Sequence, residues 1–157
     1  MNIKQINKRI FNSLMGFTHW LTETERRNII GKPVMRALGS LTLTVKKAGK
    51  KSTAIESAEE WQRMFPSKKM VPITSVDVDT VYAEIRSECP YRGSGNVDGC
   101  YRMMEYDRRI MEKIGSKFTV IKSQAEVGVS HCKIAISKNT TDLPIEAKDR
   151  IAREAQH

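Results

Sequence analysis

Ile3, Ile6, Ile10, Leu14, Phe17 and Leu21 recur at steps of three and four, which places them on one stripe of a helix over residues 3–21. Lys4, Lys8 and Arg9 fall off that stripe. Thr22-Glu23-Thr24-Glu25 has the form of a capping box, with Thr22 as N-cap and Glu25 reaching back. It predicts a short second helix that stops near Gly31. Pro33 suits the first turn of a third helix, whose apolar face would be Val34, Leu38, Leu41 and Val45. Lys46, Lys47, Lys50 and Lys51 crowd the end of that helix, where the dipole favours cations. Ser57 to Glu60 repeats the capping pattern and predicts a further short helix through Met64, ended by Pro66.

Beyond Pro66 the period changes. Residues 70–76 and 78–88 read as extended, and Val81, Ala83 and Ile85 alternate with Tyr82, Glu84 and Arg86 as on a half-buried strand. Continued inward, that parity takes in Ser87 and Cys89. Pro90, Gly93, Gly95 and Gly99 mark an irregular loop. A helix over about 100–114 closes at Gly115, and two strands, about 117–125 and 131–137, form an antiparallel hairpin around Gly128. A charged helix is expected over 143–157. Helices first, then strands, one helix and a hairpin predict an α+β fold: N-terminal helices packed on a small antiparallel sheet, with the helix at 100–114 beside the C-terminal hairpin. The 157 residues suit a single domain. It divides into a helical part (1–53), an α+β part (54–142) and a charged tail (143–157).

Charge changes this picture in one respect. Of the net +9, all is carried by residues 1–53, with eleven Lys/Arg and two acids; the remainder is neutral. No nucleic-acid motif accompanies the charge, so a nucleic-acid partner is not expected. An anionic membrane surface remains compatible with a basic amphipathic start, and so does a homodimer formed through the first helix. No apolar run is long enough to span a bilayer and the start of the chain lacks the pattern of a secretory signal, so the expected compartment is the cytoplasm. Three cysteines are not a disulfide framework, and reduced thiols fit that compartment.

The chemistry concentrates between Cys89 and Cys132. On the helix at 100–114, Cys100, Met103, Met104, Ile110, Met111 and Ile114 share one face, and Asp107 falls near its middle. A carboxylate on an apolar face is costly unless it is paired, hydrogen-bonded or protonated. It is therefore a candidate general base or ligand-binding acid, or else half of a structural contact with Arg92 or Ser87. Cys132, Ile134 and Ile136 share one side of the last strand. Packed as neighbours, Cys89, Cys100, Cys132 and Asp107 would line one cavity, with Met104, Met111, Tyr106 and Ser87 as further ligand-binding positions. Zinc is not expected, since there is no Cys-x-x-Cys and no paired His, and His131 faces away from Cys132. His19, beside Trp20, reads as a packing or surface residue. Arg92-Gly93-Ser94-Gly95-Asn96 has neither P-loop nor dinucleotide spacing and reads as a flexible lip able to hold a carboxylate.

Cys89-Pro90, Cys100, Met104-Glu105-Tyr106-Asp107, Gly115, Glu126-Val127-Gly128 and Cys132-Lys133-Ile134 together resemble the C-terminal half of the L-2-amino-thiazoline-4-carboxylic acid hydrolase-like family. The resemblance implies hydrolytic opening of a carbon–nitrogen bond in a small heterocycle, with Asp107 as general base and Cys100 as nucleophile or polar wall. The same arrangement is similar to the 4-vinyl reductase domain, a module that binds small ligands. Cys100 and Cys132 match the first and last of that family's zinc ligands, but its middle positions fall on Ile121 and Gln124. Ile121 cannot bind a metal, so this resemblance implies a pocket without zinc. Two functions therefore stand open, a small-molecule hydrolase and a non-catalytic module for a hydrophobic or heterocyclic ligand.

Overall fold

The computed structural model of the chain describes residues 3–138, with side chains from Ser13 onward. The helix expected at 143–157 and the side chains of Ile3, Ile6 and Ile10 lie outside the described residues. In order come α1 (Ile3–Thr22), α2 (Glu25–Lys46), α3 (Ala54–Gln62), a single 3-10 turn (Lys68–Met70), β1 (Ile73–Val76), β2 (Thr80–Ile85), α4 (Val97–Met103), α5 (Glu105–Ile114), β3 (Lys117–Lys122) and β4 (Cys132–Ser137). The fold is α+β. Its four strands form one antiparallel sheet in the order β1-β2-β4-β3. Val81 pairs with Ile136, Ala83 with Ile134 and Ile85 with Cys132, so the inward faces of β2 and β4 coincide. Because strand side chains alternate, that register lays Val81, Ala83, Ile85, Cys132, Ile134 and Ile136 on one buried surface.

Helices α3 and α5 cover that surface, α3 over β2 and β4 and α5 against β3. The N-terminal helices lie one layer further out. Helix α2 packs along α5, and α1 packs on α2 and α4. Of the helices that precede the strands, α3 therefore packs on the sheet as expected, while α1 and α2 reach it through α4 and α5. The core joins Trp61, Ile110, Met111, Ile114, Val120 and Ile134, each 0% exposed.

Several boundaries also differ from the pattern-based expectation. Thr24, not Thr22, caps α2, its hydroxyl accepting from the Arg27 amide. The Thr22 hydroxyl instead donates back to the Thr18 carbonyl at 2.8 Å and meets the Tyr91 hydroxyl at 2.9 Å. The expected second and third helices are one continuous α2 that passes through both Gly31 and Pro33. Gly31 is needed for close approach, since a Cβ there would stand 2.7 Å from the Leu21 carbonyl oxygen. Pro33 forfeits the helix hydrogen bond to the Ile29 carbonyl, but both residues are exposed, where solvent can replace it. The buried face of α2 is Gly31, Met35, Gly39 and Leu43, while the expected Leu41 and Val45 are 59% and 71% exposed. On α1, Leu21 is buried, but Leu14 and Phe17 are 44% and 49% exposed, and Thr18 and Thr22 face inward beside Leu21.

The capping box of α3 is Thr53–Glu56, not Ser57–Glu60. Ser57 lies one turn inside the helix and returns its hydroxyl to the Thr53 carbonyl, and Glu60 pairs with Arg63 and Lys51. The helix expected over 100–114 breaks at Met104, which ends α4 and begins α5. No helix among the described residues is long and apolar enough to cross a membrane.

Candidate functional site

The break at Met104 positions the site. Asn96 caps α4, its side-chain oxygen accepting from the Gly99 amide at 2.8 Å. Arg102 of α4 donates to the Thr22 and Glu23 carbonyls at 2.7 and 2.9 Å, satisfying the open end of α1. Tyr91 adds a bond from its hydroxyl to the His19 carbonyl and packs on the His19 ring at 4.5 Å. The end of α1 is thus fixed to α4 and to the loop before it. Helix α2 lies over α5, where a Cβ on Gly39 would meet the Tyr106 carbonyl oxygen at 2.8 Å. Arg36 of α2 pairs with Glu105 and Glu112 of α5 across the same contact.

Between these helices and the end of β2 lies a cavity of about 210 Å³. Leu14, Met15 and Thr18 of α1 and Met35, Leu38 and Thr42 of α2 form its roof. Met64, Phe65 and Pro66 close one side and Ile85, Ser87, Glu88 and Cys89 another. Met103, Met104, Tyr106, Asp107 and Gln124 form the floor. Of the positions singled out by sequence, Asp107, Cys89, Met104, Tyr106 and Ser87 meet on this cavity, whereas Cys100, Cys132 and Met111 do not line it. Met111 is fully buried in the core beneath.

Asp107 is 7% exposed, and its Oδ1 accepts a hydrogen bond of 2.9 Å from the Trp61 indole N–H. Trp61 is the partner, not Arg92 or Ser87. Arg92 donates to Gln124 Oε1 at 3.0 Å, and the Ser87 carbonyl accepts from Gln124 Nε2 at 3.2 Å. Trp61 is itself held edge-on by Phe65 and tilted against Phe118, so the donor is fixed. Burial pushes the Asp107 carboxyl up to about 6, against the opposing pull of the Trp61 bond, the Arg108 charge and its own backbone N–H. Tyr106 bonds the Thr42 hydroxyl at 3.0 Å, stitching floor to roof.

Cys100 and Cys132 form a polar seam behind the floor. Ser123 donates to Cys100 Sγ at 3.0 Å, and the backbone and side-chain amides of Gln124 approach Cys132 Sγ at 3.4 and 3.6 Å. Cys100 and the Gln124 amides draw Cys132 below the ordinary thiol range, while the neighbouring Cys132 thiol and burial hold Cys100 far above it. Such a thiol is a poor nucleophile. Cys89, half-buried, is raised to about 11 by desolvation. All three are free thiols. Among the described residues no group of three His, Cys, Asp or Glu side chains is placed to hold a metal.

The glycine-rich lip does not offer its amides to an anion. Gly93 and Gly95 donate theirs to the Gln124 and Ala125 carbonyls at 2.8 and 2.9 Å, which docks the loop on the 123–126 turn. Sequence reasoning missed Trp61 and the whole roof. The one available signal was the run Gly31-Met35-Gly39-Leu43, whose four-residue spacing marks a helix face that accepts another backbone at close range.

No family model, curated protein or solved structure matches the sequence.

Proposed function

We propose that this protein binds a small, mainly apolar molecule in the cavity beneath α1 and α2. The observation that carries the reading is the cavity itself: about 210 Å³, with five methionines and Phe65 on its walls and a few polar groups. Such composition is that of a small-molecule site, and methionines adapt their shape to a ligand. An engineered apolar cavity of about 150 Å³ accepts benzene, so this one has room for a single ring bearing a short chain. Between the two functions left open by the sequence, the geometry favours the binding module. A hydrolase would keep Asp107 as base, its proton affinity near neutrality, but Cys100 faces Ser123 and Cys132 instead of the space where a substrate would lie.

Calorimetric titration with phenethyl alcohol, a neutral probe of suitable size, tests the reading. One saturable site is expected, with a dissociation constant of about a millimolar or tighter from per-atom limits on small ligands. Leu38→Trp, which fills the cavity from the roof, should abolish that binding while preserving the circular dichroism spectrum. Absence of saturable heat with the wild-type chain would refute the proposal.

A further inference from the structure

We propose that the cavity selects small organic cations: protonated amines carried on a compact aromatic or aliphatic frame. The inference rests on the cavity being a ligand site and adds the class of ligand.

The chain holds 27 Lys/Arg against 18 Asp/Glu, so a wall drawn at random from its charged residues would be mainly basic. Yet among the described residues that line the cavity there is no Lys, Arg or His. The only charged groups there are Asp107 in the floor and the exposed Glu88 at the edge. The nearby arginines have their heads directed elsewhere. Arg36 pairs with Glu105 and Glu112, Arg102 holds the end of α1, and Arg109 reaches Ser40 and Glu112. Arg108, the cation that most affects Asp107, binds the Tyr101 carbonyl and Glu105 and does not line the cavity.

One buried carboxylate, a second at the exposed edge and no cation among the described lining residues give the recess a negative potential. The neutral surface suits the same guest. Phe65 and Tyr106 supply aromatic rings and the methionines polarizable thioethers, groups that can accept a cation. Trp61 bonds one oxygen of Asp107, and an ammonium N–H would give the carboxylate a charged partner from the cavity side. An anionic guest would meet Asp107 with no cation among the described lining residues to offset it.

The test uses the intact wild-type chain and three probes sharing one frame: phenethylamine, phenethyl alcohol and hydrocinnamate, titrated calorimetrically at neutral pH. Phenethylamine should bind about tenfold or more tighter than the alcohol, as a charge-assisted bond implies, and hydrocinnamate should bind weakest. Asp107→Asn should bring the amine down to the level of the alcohol. Glu88→Gln, at the exposed edge, should weaken the amine by about twofold, the size of a solvent-screened charge effect. The wild-type ranking decides the matter even where a variant fails to fold. Equal or tighter binding of the alcohol overturns the cation inference but leaves the cavity a ligand site. If none of the three binds, the ligand-site reading fails and this inference falls with it.

Discussion

Replacing Asp107 by asparagine tests the chemistry of the site through stability alone. The carboxyl titrates near 6 in the folded chain, against 3.8 for an unperturbed carboxyl, because burial disfavours its charge. At about 1.4 kcal/mol per tenfold change in proton affinity, that difference is on the order of 3 kcal/mol of charge-burial cost at neutral pH. Between pH 4 and 6 the folded chain keeps a proton that the unfolded chain has released. Its stability therefore falls as pH rises through that window, and this group adds no further pH dependence below or above it, the full penalty persisting above. Asparagine keeps the shape and an acceptor for Trp61 but has no charge to bury. Asp107→Asn should therefore match wild type near pH 4 and exceed it by about 2–3 kcal/mol at pH 7. Urea unfolding of both proteins across pH 4–8 measures the difference, and titrations common to both cancel. A variant less stable than wild type at pH 7 by more than about 1 kcal/mol, on the scale of a buried hydrogen bond, would refute the reasoning. So would a difference that does not vary with pH.

Trp61→Phe removes the donor to Asp107, so the carboxyl should titrate above its wild-type value and the loss of stability should be larger at pH 7 than at pH 4, read by the same urea series. Gly31→Ala should lower stability by about 1–3 kcal/mol despite alanine's better helix propensity, because the Leu21 carbonyl must move. Gly16→Ala, whose Cβ meets nothing within 4 Å, should raise stability by up to about 1 kcal/mol; thermal melts compare the two. A thiol-reactive dye should find Cys89 slowly and Cys100 and Cys132 only on unfolding, and fewer than three thiols in the unfolded, non-reduced chain would contradict the free state of the cysteines.

The elements with strict periods were legible in the sequence, and those fixed by close contact were not. Alternation on β2 and β4 located the sheet face because strand parity leaves one choice of inward residues. Asp107 declared its burial by its angle among Ile110, Met111 and Ile114, which needs only the helix period. Helix α2 escapes the pattern because its inward face is built from Gly31 and Gly39, which carry no hydrophobic signal, while its exposed face displays Leu41 and Val45. Thr22 and Thr24 both precede a glutamate-rich turn, as Thr53 and Ser57 both precede a glutamate by three. Which of each pair caps is decided by where the neighbouring helix lies. The cavity roof depends on α1 and α2 folding back over α5, a tertiary event that no local pattern announces.

The roof also explains how Asp107 comes to be costly. The carboxyl sits in the first turn of α5, where helix dipole and water would ordinarily keep it ionised. Helix α2 packs over α5, and Asp107 is left 7% exposed. Gly31 and Gly39 bring α2 against the end of α1 and the backbone of α5, and Arg36 locks it to Glu105 and Glu112. The contacts that enclose the cavity are therefore the contacts that raise the proton affinity of its acid. A penalty of about 3 kcal/mol is a large share of the 5–15 kcal/mol by which domains are stable, and a leucine in the same place would avoid it. A guest that brings a positive charge to Asp107 offsets that penalty, and by linkage its binding stabilises the closed arrangement of α1 and α2. On the cation proposal the acid would discriminate between guests, and the Trp61 bond would hold it in place for them.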